Sequence, residues 1–200
     1  MVKISGITGT QAELLYALSV PVTKNTYTSQ AVISALAASA PVAKIPGGFF
    51  QENPNPIGRA LYLKAMGTIA TTSAYTFSPA IALDTTAGTA LNPITIYTAV
   101  APTASVTALW DLEAWITCTA FGETAGMTLQ VNGKWTQSTT ATGGALTSSA
   151  SAGWAPAMFD SSLTSLTPAT TYYVELFGTW SNSSSSATTT LQQMFLWGLN

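Results

Sequence analysis

Asp111 and Glu113 are the residues whose type and spacing come nearest to chemistry. They stand two apart in a stretch, 106–121, that alternates apolar and polar residues. Alternate residues of a strand share a face and lie roughly 6.5–7 Å apart, a separation at which two carboxyls serve as acid and base in inverting glycosidases. Trp115, on the same face, would then offer a sugar-stacking ring. A solvated strand face often carries acids at this spacing, however, and a catalytic pair normally faces a cleft from different strands. We therefore expect surface carboxylates, and we expect Trp115, flanked by Leu109 and Phe121 on the same face, to mark a contact surface.

The remaining candidates are weaker. Asp84 and Asp160 sit beside hydroxyl residues and could offer oxygens to calcium, but neither has the spacing of a calcium loop, so turn capping is the expectation. Gly143-Gly144 has no lysine after it, which leaves no phosphate loop. The chain has no histidine and one cysteine, Cys118, on the apolar parity of the stretch 106–121. A serine or cysteine nucleophile would have only lysine as its base, and no internal disulfide or thiolate cage can form. The expectation is a protein that is not an enzyme and has no cofactor and no metal.

The elements that position these residues follow from periodicity. In 106–121 the residues Val106, Ala108, Trp110, Leu112, Ala114, Ile116 and Cys118 point one way, which predicts a strand with one buried face. The run 58–69 alternates likewise, as do 127–137 and 171–180; 75–83 and 188–199 are read as further strands, with a short segment at 92–97 and a long Ser/Thr/Gly/Ala loop at 138–153. Trp110, Trp135 and Trp180 fall on core parity. Before Gly48 the pattern differs, and the reading there is an extended arm. Thr10 and Glu13 form a capping-box pattern ahead of Leu14, Leu15 and Leu18, predicting a short helix that ends at Pro21. Ser29 would cap a second one over 31–38. The predicted organisation is an arm over 1–48 and a sandwich over 49–200: all-β, two antiparallel sheets, of jelly-roll type.

Composition narrows the function classes. The chain of 200 residues is 47% hydrophobic but only 7% charged, against about 25% charged in ordinary domains. Such a surface repels its neighbours poorly and favours packing into an assembly. A net charge of -2 without a basic run gives no footprint for nucleic acid or an anionic membrane. The longest apolar runs, such as 35–43 broken by Pro41, are too short to span a bilayer. The run 14–22 follows Glu13 with only Lys3 as a basic residue, so export by a signal segment is not expected.

Phe49-Phe50-Gln51, the run from Gly58-Arg59 through Leu61, Leu63 and Ala65 to Gly67, Trp110-Asp111-Leu112-Glu113, and the close at Leu199-Asn200 resemble a group of tailed-bacteriophage virion structural proteins. The likeness covers mainly 46–200 and departs from the group's pattern in the residues 52–56. It implies a non-enzymatic particle component of the virion, assembled in the host cytoplasm: a head decoration or minor capsid protein, or else a tail or fibre protein. The expected partners are copies of the chain itself, as a trimer, and the phage major capsid protein, whose shell a decoration protein would clamp through the arm 1–48. The interface candidates are Leu109, Trp115 and Phe121 on the strand, Leu14, Leu15 and Leu18 in the arm, and Phe49 and Phe50 at the junction. A carbohydrate-binding module gripping host glycans through exposed tryptophans is the alternative from another class.

Overall fold

The computed structural model describes residues 3–4, 12–18, 20–25, 31–34, 42–51, 57–72, 75–88, 93–96, 106–138, 154–183 and 186–199. Every regular element among them is a strand: β1 (Lys3–Ile4), β2 (Ala12–Leu18), β3 (Val22–Asn25), β4 (Ala31–Val32), β5 (Lys44–Ile45), β6 (Ala60–Thr71), β7 (Phe77–Asp84), β8 (Pro93–Thr95), β9 (Val106–Ala120), β10 (Met127–Ser138), β11 (Trp154–Leu166), β12 (Tyr172–Trp180) and β13 (Thr188–Leu199). They form two antiparallel sheets. The larger runs β1-β2-β13-β6-β9-β10-β11, with β3 beside β2 on the same edge of β13. The smaller runs β4-β12-β7-β8, with β5 also on β12.

The alternation that predicts the long strands also fixes their faces. Along β6 burial switches residue by residue, and Leu61, Leu63, Ala65 and Ile69 face inward. On β9 the inward set is Ala108, Trp110, Leu112, Ala114, Ile116 and Cys118, each at most 1% exposed. Phe77, Ile81 and Leu83 of β7 and Val174, Leu176 and Trp180 of β12 close the same core. The three tryptophans of core parity gather at one place. Trp110 stacks on Trp135 at 4.7 Å between ring centroids, and Phe77 lies 5.1 Å from Trp180 and 6.3 Å from Trp135. Gly67 permits this, because a Cβ there would come 2.7 Å from the Trp110 ring and would collide with the Thr190 carbonyl. The Trp180 indole donates to Thr189 Oγ1 at 3.2 Å, whereas the Trp110 and Trp135 indole nitrogens and the Gln137 amide are buried without a hydrogen-bond partner.

The stretch before residue 48 differs from the sequence-based expectation. The short helix predicted between the Thr10/Glu13 capping pattern and Pro21 is instead, over Ala12–Leu18, strand β2, paired from Leu18 with Met194 to Ala12 with Leu199. A helix of so few residues has almost no stability of its own, and the open edge of β13 offers those backbone groups partners at once. The second predicted helix fails at its start, since Ala31 and Val32 pair with Gly178 and Phe177 of β12; its residues from 35 onward lie outside the described residues. Val22, Ile33, Ala43 and Ile45 are buried in the common core, so these segments lie on the chain's own sheets. The turn into the sandwich is tied down by Gly48 N–H on the Pro168 carbonyl at 3.0 Å, with Gly48 at φ 84°, where a side chain would be strained. The loop predicted from 138 falls, from 139 to 153, outside the described residues. Residues 154–166, expected only to re-engage the core, form the full-length strand β11 on β10.

A candidate interaction surface on the larger sheet

The outer face of the larger sheet carries the residues left over from core parity. Register aligns Trp197 of β13 with Tyr62 of β6, and Tyr62 with Trp115 of β9, which is followed by Asn132 of β10. The rings make a continuous stack. Phe195 lies 5.3 Å from Trp197, Trp197 5.5 Å from Tyr62, and Tyr62 4.8 Å from Trp115, with interplanar angles of 25°, 27° and 45°. The Phe195–Trp197 and Trp197–Tyr62 pairs are nearly parallel and spend their faces on each other, whereas Tyr62 and Trp115 meet at a tilt. Trp115 ends the stack and is 45% exposed. Leu14, paired with Trp197, and Leu109, three same-face rows along β9 from Trp115, are exposed on the same sheet.

Beside the stack lies an ion network. Lys64 Nζ is 2.9 Å from Asp111 Oδ2 and 2.6 Å from Glu113 Oε1, and Lys134 Nζ is 2.9 Å from Glu113 Oε2. Lys64, Glu113 and Lys134 occupy one cross-strand row, so the network follows directly from register. Hydrogen bonds from Lys64 and Lys134 hold the Glu113 carboxyl below its usual range, outweighing the opposing effect of burial. Burial alone would lower the Lys64 ammonium, but its bonds to Glu113 and Asp111 raise it on balance. Partial burial pushes the Tyr62 phenol up, with Glu113 adding to the shift. A general acid needs a carboxyl held protonated near neutrality. Glu113 is held in the opposite state.

The other candidates sort by burial. Phe49 and Phe50 are core residues: their rings meet edge-on at 5.0 Å, and the Arg59 guanidinium lies 3.9 Å above Phe49. Gly198 makes room for Phe49, whose ring a Cβ there would meet at 2.8 Å. Leu15, Leu18 and Phe121 pack against the core. Leu14, Leu109 and Trp115 therefore remain outward, and the structure adds Tyr62, Phe195 and Trp197, which sequence reading left in ordinary strands. The i, i+2 spacing of Phe195 and Trp197 was a signal for one face, but their neighbours across the sheet depend on strand order. Cys118 is buried, and burial pushes its thiol up. Asp84 is buried at the end of β7, and Asp160 on β11 accepts a hydrogen bond from Gln130. Among the described residues no cluster of three or more His, Cys, Asp or Glu could hold a metal, and no helix is long and apolar enough to cross a membrane.

No family model, curated protein or solved structure matches the chain.

Proposed function

We propose that the chain is a structural component of a tailed-bacteriophage particle, a head decoration protein that docks through the outer face of its larger sheet. The observation that carries this reading is the four-ring stack from Phe195 to Trp115, set on an exposed face with Leu14 and Leu109. Aromatic residues amid exposed apolar neighbours suit contact with a protein surface. At about 25 cal/mol per Å2 of apolar area, a few hundred Å2 per contact becomes a large term when repeated over a shell. A free N-terminal clamp would require β2 to β5 to leave their sheets, so the face takes the role first expected of the arm.

The strand order supports a jelly-roll reading. The chain passes from the larger sheet (β2, β3) to the smaller (β4, β5), back (β6), across again (β7, β8), back (β9 to β11), across (β12) and back (β13). That gives the four-strand sets β2/β3-β13-β6-β9 and β4/β5-β12-β7-β8, with β10 and β11 extending the first. Double-sheet jelly rolls of this kind recur in viral capsid proteins and also in lectins. The glycan reading would need ring faces free for a sugar, and the stack leaves that chiefly to Trp115.

The test is occupancy on purified particles carrying Trp115→Asp with Leu109→Asp. Loss of the protein from the particle, with the isolated variant still folded by circular dichroism, is the expected result. Full occupancy would remove the face from the proposal.

A further inference from the structure

A second contact, independent of the virion reading, is built into the edge of the larger sheet. β11 is the end strand and spans Trp154–Leu166, thirteen residues. One side pairs with β10 along nearly its whole length, from Ser138 with Trp154 to Leu129 with Leu163. Its other side forms no backbone hydrogen bond to any described residue. The smaller sheet and the opposite end of the larger one finish in strands of two or three residues, β8, β4, β5 and β1. Exposed edges are usually blunted by shortness, charged residues, proline, bulges or a cover, and β11 carries one proline, Pro156, near its start. β11 contains no lysine, arginine or glutamate, and one aspartate. Its bend, at Ser165 with φ 61°, comes only at the far end.

We infer that β11 pairs antiparallel with β11 of a second copy, about a two-fold axis at Phe159, joining the two larger sheets into one. Three observations select this partner and register. Residues directly opposite in an antiparallel pair share a face, so continuity of inner and outer faces requires a two-fold axis centred on a residue. An axis at Asp160 would set two carboxylates directly opposite, which destabilises a pair. An axis at Ser161 stops early, because Ser165 leaves the extended conformation. At Phe159 the ladder runs over residues 154–164 of both copies, losing only the donor that Pro156 lacks.

This register also has a charge logic. Across one copy the outer row reads Lys64, Glu113, Lys134, Met158, by direct pairing. Met158 is the most exposed large apolar side chain described, at 77%. The two-fold axis puts Asp160 of the second copy opposite Met158. The row then continues the alternation of positive and negative groups and covers the methionine.

Sedimentation of the full chain over a range of concentrations tests this, with Met158→Asp and Met158→Lys as a pair. Met158 is on the surface, so both variants fold. The wild type should dimerise. Met158→Asp faces Asp160 of the copy and should weaken the dimer at least tenfold, whereas Met158→Lys faces the same carboxylate and should match or tighten it. Equal weakening by both, or a wild type that stays monomeric at high concentration, overturns the proposal. Trp115→Asp, which belongs to the face, should leave this dimer intact; its loss there would assign self-association to the aromatic stack instead.

Discussion

Lys64 Nζ and Glu113 Oε1 stand 2.6 Å apart on neighbouring strands, directly opposite in register, and Lys134 closes on the same carboxylate from the other side. Each ion is about a quarter exposed or more, so the network belongs to the half-wet class, worth about 1 kcal/mol or less per pair. Glu113 has a folded pKa below its unfolded one. Its stabilisation is therefore present above the ordinary glutamate range and is lost as pH falls through the folded value. Lys64, raised, contributes below the ordinary lysine range and loses its effect as pH rises past the folded value. Glu113→Gln should lower the denaturation midpoint at pH 7 by the equivalent of about 1 kcal/mol and leave it unchanged near pH 2. An equal loss at both pH values would show that the carboxylate acts through packing alone.

Glu175 has the opposite sign. It lies on the outer side of β12, 1% exposed, with Oε2 accepting the Gly88 N–H at 2.8 Å and Oε1 unpartnered. Burial pushes its carboxyl up, against the Gly88 hydrogen bond, and Asp84 adds to the rise. A raised carboxyl favours the fold below the unfolded value and withdraws that support as pH rises through the folded one. Glu175→Gln keeps an acceptor for Gly88 and should raise thermal stability at pH 8 while changing little at pH 4. Destabilisation at pH 8 would contradict the assignment.

Gly67→Ala should be among the most damaging single-methyl changes in the chain. The added carbon meets the Trp110 ring at 2.7 Å and the Thr190 carbonyl, both fixed in the sheet interior. Overpacking of this kind costs about 1–3 kcal/mol. Urea unfolding measures it, and a near-neutral result would mean that the tryptophan stack can shift.

Gln137→Met should stabilise. Both polar atoms of this amide are buried without partners, and an unsatisfied buried group costs about 1–3 kcal/mol. Methionine fills a similar volume without that cost. A rise of roughly 2–4 °C per kcal/mol recovered is expected in a thermal melt. A fall would show that the amide is satisfied by ordered water.

The long strands β6, β9, β10 and β12 were legible because each keeps one apolar face, which period-two alternation reports directly, whereas in β13 the buried parity switches at Gln192-Gln193. The core tryptophans followed from the same parity. β2 was not legible: Leu14, Leu15 and Leu18 fit a helical stripe as well as a strand, and only the vacant edge of β13 decides between them. Phe49 and Phe50 looked like contact residues because nothing local shows that Gly198, far along the chain, opens a place for Phe49. The outer face was half legible. Trp115 stands out within its own strand, but its partners Tyr62 and Trp197 become neighbours only through a strand order that alternation does not encode.

The position of β13 has a consequence for how the molecule is made. It lies between β2 and β3 on one side and β6 on the other, although it follows all of them in chain order. Until it arrives, β2, β3 and β6 each lack a neighbour, and the tryptophan cluster lacks the Thr189 hydroxyl that satisfies Trp180. Until β13 has emerged, a nascent chain therefore carries open, greasy sheet margins, and the sandwich can close only after that strand is in place.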